Sequence, residues 1–333
     1  EQFSIILHSG MSAIEGLALL NDDSQTQRGN EILSALSKDM EESGSLAHAM
    51  KETGAFPDTA TAYVRTGEET GCLDEVMTGL ASFYQKELQI TQQIRSAVTY
   101  PLVMLGMMIA VIAILLVKVL PVFRQVFRQL GLAMNGISGA LLGMGEALGS
   151  YSTVFLILLA AIIGFLFFLA IHPRGQKLVQ KMVYHFPGMK EIPVNLDYSR
   201  LCQCISMGIR SGLSPELYIE LAETVVSQPE IKEKLTDLQK QLSEGFGLTE
   251  AIAGSGLFKA MELRLISLGI HAGSSDEVME KLSSQYEEQS VGTISHIVSI
   301  LEPTIVIVLS LLVGLILLSV MMPLLGLLSE MIA

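Results

Sequence analysis

The sequence predicts an all-α membrane protein: two homologous cytoplasmic antiparallel helical bundles, about six helices each, plus three transmembrane helices. Three observations predict it. Apolar residues concentrate in long runs, one part of the chain is repeated in another, and apolar side chains outside the runs recur three or four residues apart. Of 333 residues 50% are hydrophobic and only 17% charged, and a mean hydropathy of +0.48 is too apolar for an ordinary soluble protein of this size.

The apolar runs extend over Pro101–Pro121, Ser152–Ile171 and Pro303–Leu328. About twenty helical residues, rising ~1.5 Å each, cross the ~30 Å hydrocarbon core of a bilayer. Lys118 is the one charge inside the runs, and it lies one turn from the end of the first, where a long side chain reaches the headgroups. The first run begins a hundred residues into the sequence with no small-residue cleavage site after it, so it is expected to be retained rather than removed as a signal peptide.

Positive charge sets the orientation. Lys86 and Arg95 precede the first run, and Arg174, Lys177, Lys181 and Lys190 follow the second, against Arg124 and Arg128 in the loop between them. The expected organisation is a cytoplasmic helical domain at 1–100, transmembrane helix 101–122, a short exported loop at 123–150 and transmembrane helix 151–171. A second cytoplasmic domain at 172–300, transmembrane helix 301–328 and an exported tail at 329–333 complete it.

The net charge of −13 belongs to the two soluble parts, −9 in residues 1–100 and −4 in residues 172–300. Such acidity argues against nucleic acid or anionic lipid as a broad direct partner of those surfaces and leaves a basic protein partner open. It reads as solvated helix faces. Cys72, Cys202 and Cys204 are too few to pair completely and fit a reducing compartment, while Cys202-x-Cys204 lacks a second pair or a nearby His for zinc.

Sliding the chain over itself reveals a constant offset of 202 residues. Between Gly71 and Tyr84, eight of fourteen positions are identical to their counterparts between Gly273 and Tyr286. The same shift pairs Ser9-Gly10 with Ser211-Gly212, Gly67 with Gly269, Pro101 with Pro303 and Pro121 with Pro323. Domain and span are both duplicated, and the unrepeated middle span returns the chain to the cytoplasm so that the copies lie parallel.

Helix starts are marked by Ser12-x-x-Glu15, a capping box, and by Ser214-Pro215, with Ser as cap and Pro at the first helical position. Gly44, Gly54, Gly67 and Gly71 are expected at helix ends. The last helix of the first domain starts at Leu73 and leads into the span at Tyr100-Pro101, with Pro101 and Pro303 expected to set a kink.

Motifs for chemistry are missing: the sequence contains no G-x-x-x-x-G-K-[ST], H-E-x-x-H or G-x-S-x-G, and its six histidines are scattered. An enzyme is not expected, nor a cofactor or metal. The spans also lack the midplane charges of a transporter; Glu302, beside Pro303 at the cytoplasmic edge, is the nearest exception.

Gly67-Glu68-Glu69-Thr70-Gly71, the long helix after it, Tyr100-Pro101, the apolar run and Leu120-Pro121-Val122-Phe123 together resemble the inner-membrane platform proteins of type IV pilus, competence pilus and type II secretion machines, the F family of secretion systems. The resemblance covers nearly the whole chain. Ser9-Gly10-Met11-Ser12 and Ser211-Gly212-Leu213-Ser214 are similar to the family's helix-turn-helix signature. Copy two departs from it, with Gly269-Ile270-His271-Ala272-Gly273 in place of the acidic motif.

The resemblance implies a multi-pass protein of the bacterial inner membrane, N-terminus cytoplasmic, that couples a cytoplasmic hexameric assembly ATPase to insertion of pilins into a filament. Implied partners are that ATPase, pilin or pseudopilin transmembrane helices, other inner-membrane assembly proteins, the bilayer and further copies of the chain. Many members carry an N-terminal extension that engages the ATPase, and little of one is expected here. Gly67, Glu68, Glu69 and Gly71 are the candidate contact residues; Tyr100, Pro101, Pro121, Glu302, Pro303 and Pro323 mark the junctions of helix and membrane. The alternative reading is a small-solute transporter or channel.

Overall fold

The computed structural model describes residues 1–23, 26–114 and 189–332, with Val122 and Gln125. The expected loop at 123–150, apart from Gln125, the middle span at 151–171, and Pro121 lie outside the described residues. What is described is helical. Copy one contributes α1 (Gln2–His8), α2 (Ala13–Asp23), α3 (Gln27–Ser43), α4 (Leu46–Thr53), α5 (Asp58–Thr70) and α6 (Leu73–Ile114). Copy two contributes α7 (Glu191–Arg210), α8 (Pro215–Val225), α9 (Pro229–Ser243), α10 (Leu248–Gly254), α11 (Ala260–Ala272) and α12 (Ser275–Ile332).

The sequence repeat is a structural repeat. Helices α8, α9, α10, α11 and α12 each begin 202 residues after their counterparts α2 to α6. The last seven residues of α7, 204–210, match α1 at the same offset.

Local chemistry accounts for most helix ends. Ser12 and Glu15 form the expected capping box, the Glu15 amide donating to Ser12 Oγ at 3.3 Å and the Ser12 amide to the Glu15 carboxylate at 3.1 Å. Thr26 caps α3 by accepting from the Gly29 amide at 3.1 Å. Ser214 departs from expectation: its backbone is extended and Pro215 follows at the first position, yet its side chain makes no cap bond. Pro215 has no amide hydrogen and its ring presets φ, so the start of α8 is set by the proline.

Gly44, Gly54 and Gly71 end their helices in the left-handed region, but Gly67 lies inside α5 rather than at an end. Its reason is packing. A Cβ there would come within 3.1 Å of Val76 Cβ and 3.2 Å of Leu73 Cα, so the glycine lets α5 and α6 close to backbone contact. Gly269 has the same place against Val278.

Two compact units result. One joins Glu1–Gln92 with Lys190–Val291, and the other joins Gln93–Met189 with Gly292–Ala333. In the first, both copies share a single apolar core that includes Tyr63, Val64 and Val76 of copy one and Leu201, Ile205, Ile219 and Ile266 of copy two. Burial of this surface is the driving force that holds the repeats as one body.

In the second unit, α6 and α12 are 42 and 58 residues long in total and are long and apolar enough to cross a membrane. Val103, Met107 and Val111 on α6, and Ile307, Leu311 and Leu318 on α12, stand exposed. Side chains of this kind find their solvent in hydrocarbon. Both helices continue through their prolines, Pro101 in α6 and Pro303 and Pro323 in α12.

Candidate functional site

The acidic corner between α5 and α6 divides its labour. Gly71 ends α5 at φ 77°, a conformation cheap for glycine alone, and Gly67 provides the close approach described above. The Glu68 carboxylate turns inward across to α4. It accepts from the amides of Leu46 at 2.5 Å and Ala47 at 3.3 Å and from the Ser45 hydroxyl at 2.7 Å, while the Ser45 hydroxyl accepts from the His48 amide at 3.2 Å. Four donors at the start of α4, one hydroxyl and three amides, are satisfied by two side chains, and the carboxylate sits at the positive end of the helix. Glu69 faces solvent.

Copy two dispenses with this device. Ser45 and Glu68 have Gly247 and Ile270 as counterparts, and α10 starts without a side-chain cap. The two changes occur together because each side chain is the other's partner.

The seam between the copies gathers the buried charge. Glu87 of α6 accepts two hydrogen bonds from Arg200 of α7, and Arg200 also lies 3.5 Å from Asp197. Asp197, its side chain 3% exposed, accepts from the amides of Ser227 and Gln228 at 2.8 and 2.7 Å, just before α9. Burial raises its pKa, and the two amides and Arg200 pull it back. Its neighbour on α6, Lys86, donates to the hydroxyls of Ser283 and Ser284 at 3.1 and 3.2 Å and pairs with Glu287 of α12 at 3.7 Å.

Sequence reasoning missed these residues, although a signal existed. At the 202-residue offset Lys86 corresponds to Glu288 and Glu87 to Gln289. Charges that fail to repeat mark places where the copies play unequal parts. A second sign is close packing: a Cβ on Gly79 of α6 would fall 2.2 Å from Met207 Cγ of α7, and the counterpart of Gly79 is Lys281.

Arg210 of α7 donates to Asp276 at 3.0 Å and to Glu280 at 2.5 Å on α12, and its guanidinium holds the Asp276 carboxyl below the ordinary value. The same place in copy one is filled by His8, 4.0 Å from Asp74. Cys202 and Cys204 are fully buried; burial pushes the Cys202 thiol up and the Cys204 thiol to about 12, which leaves them protonated. Among the described residues no three His, Cys, Asp or Glu side chains converge as a metal site.

Within the second unit, Tyr100 donates its hydroxyl to Glu302 at 3.3 Å. These two residues are repeat counterparts, as are the prolines that follow each. The contact therefore ties α6 to α12 at matching heights, beside Pro101 and Pro303.

A sequence profile described as type II secretion system (T2SS), protein F, matches residues 1–121 and again residues 201–323. The chain belongs to the type II secretion system protein F family. The two matches coincide with the two structural copies, so the family unit is one set of six helices whose last runs into an apolar stretch. The chain is similar to the protein transport protein HofC homolog of Escherichia coli (strain K12), 24% identical over 328 residues, 97% of this chain and 81% of that protein. The type IV pilus assembly protein PilC of Thermus thermophilus is 24% identical over 97% of this chain and 80% of its own length. A type II secretion system protein F of Pseudomonas aeruginosa is 24% identical over 98% and 81%.

Proposed function

We propose that this F-family chain is the inner-membrane platform of a type IV pilus or type II secretion-like machine, coupling a cytoplasmic assembly ATPase to the insertion of pilin subunits into a filament. The observation that carries the reading is the duplicated unit: two family copies share one core and each ends in a helix that enters an apolar stretch. In this reading three spans anchor the chain, the first compact unit is cytoplasmic, and the C-terminus is outside. A body locked by the charged seam of Glu87, Arg200 and Asp197 receives force without dissipating it between its copies, and α6 and α12 carry the displacement toward the pilin helices.

Glu69 is the residue of the acidic corner offered to a partner, since Glu68 is already engaged. The test uses the purified chain in detergent with the hexameric ATPase. Binding and a changed rate of ATP hydrolysis are expected; an ATPase that neither binds nor responds overturns the coupling.

A further inference from the structure

One helix of copy two is bare where its counterpart in copy one is covered. Met261, Leu265 and Leu268 of α11 follow one another at helical spacing and are 69%, 40% and 67% exposed, which makes one apolar stripe along one side of the helix. Their counterparts on α5 are Thr59, Tyr63 and Thr66, of which Tyr63 and Thr66 are 1% and 7% exposed. The residue types are inverted. The covered face carries two threonines and a tyrosine, and the bare one carries three large aliphatic side chains, so packing within the described fold does not account for the stripe.

The helix lying on α5 shows what such a face accepts. It is α8, in which Tyr218, Ile219, Leu221 and Ala222 are buried and Glu216, Glu220 and Glu223 are the only charges. An acidic amphipathic helix therefore fits a face of this shape.

Cations edge the stripe. Arg264 lies within about one turn of all three apolar residues and is exposed, as is Lys281 of α12; copy one has Ala62 and Gly79 at these two positions. Gly79 lies against Met207, which shares a pocket with Tyr63, so the repeat puts Lys281 beside Leu265. Among the described residues neither cation is held in an ion pair, although residues 172–300 sum to −4. A lysine where Gly79 admits Met207 bars a repetition of that seating and calls for a carboxylate in its place.

We propose that this face of α11 is the docking site for an acidic amphipathic helix of a different protein, its aliphatic side chains on Met261, Leu265 and Leu268 and its carboxylates on Arg264 and Lys281. Apolar burial supplies the adhesion, and the two cations supply orientation and selectivity. A bilayer surface fits less well, because anionic headgroups would meet a domain of their own sign. The surface lies on copy two, apart from the Glu69 corner of copy one, and it stands or falls independently of the ATPase coupling.

The test uses the full-length chain in phosphatidylcholine nanodiscs, one chain per disc, and a fluorescein-labelled peptide with the sequence of residues 214–228, held helical by a hydrocarbon link. Saturable binding is expected to loaded discs and not to empty ones. Leu268→Asp, and separately Arg264→Glu with Lys281→Glu, are expected to weaken it about tenfold or more, with the helical circular dichroism unchanged. A second peptide carrying Glu216→Lys, Glu220→Lys and Glu223→Lys is expected to prefer the charge-reversed chain. No saturable binding overturns the proposal, and so does equal binding of both peptides to the parent, which means a stripe that is merely adhesive. A maleimide assay on the chain with Cys72→Ser and Leu265→Cys separates the other occupants: rapid labelling is expected in all discs without peptide. Slow labelling in discs of one chain means that the chain covers its own stripe, slow labelling only with two chains per disc means a second copy, and slow labelling only with phosphatidylglycerol means the bilayer; each overturns the proposal.

Discussion

At the residue scale, Glu68 and Glu69 are adjacent carboxylates with different employment. Glu68→Ala strips the Leu46 and Ala47 amides of their acceptor and is expected to lower stability by about 1 kcal/mol, the usual worth of a helix cap. Glu69→Gln leaves the melting temperature unchanged, so a loss of ATPase response in that variant alone reports a contact. Arg210 supplies the pH-dependent case. Because it depresses the Asp276 pKa, the pair contributes stability above the unfolded value near 3.8 and loses it as pH falls through the folded value. The denaturant midpoint of Arg210→Met is expected below that of the parent at neutral pH, by the roughly 0.2–1 kcal/mol of a half-exposed pair, and the difference vanishes in acid. His8→Arg, which brings the copy-two residue to copy one, is expected to gain a similar amount. The capping box was legible from Ser12-x-x-Glu15 because both partners lie within one turn. The role of Glu68 was not, since its donors are 21 to 23 residues away in sequence.

At the element scale, the first two helices of each copy solve one packing problem in two ways. In copy one Gly16 of α2 admits Ile6 of α1, whose Cγ2 would be 2.9 Å from an added Cβ. In copy two the bulk changes sides: Gly208 of α7 admits Tyr218 of α8, and a Cβ on Gly208 would be 2.2 Å from Tyr218 Cβ. Ile6 and Gly208 are counterparts, as are Gly16 and Tyr218. Gly208→Ile alone is expected to cost about 1–3 kcal/mol through overpacking. Combining it with Tyr218→Gly, which transplants the copy-one solution, is expected to recover part of that loss, and thermal melts of the four proteins measure the coupling. Helix starts were readable from caps, prolines and the offset. The first turns of α7 were not, because they are fixed by partners on α6 and α12: Glu87 for Arg200, and Ser290, whose hydroxyl donates to the Ile192 carbonyl at 3.4 Å.

At the scale of the whole molecule, the seam decides whether two repeats act as one body. Arg200→Met leaves Glu87 and Asp197 without their cation in a place where Asp197 is 3% exposed. It is expected to destabilise the joined core by about 3–5 kcal/mol and to make the chain between the copies more susceptible to protease, while Glu87→Leu added to Arg200→Met restores part of the loss. Duplication, helical class, apolar helices and family character were determined by the sequence by itself, because periodicity, caps and hydropathy are local and a repeat is visible by comparison of the chain with itself. Which face of one copy meets which face of the other was decided only in three dimensions. That choice rests on side chains far apart in sequence, and it rests on the places where the repeat departs from itself: Gly79 against Lys281, Glu87 against Gln289, Ile5 against Met207. The sequence displays these differences, but only packing shows that they lie on one surface.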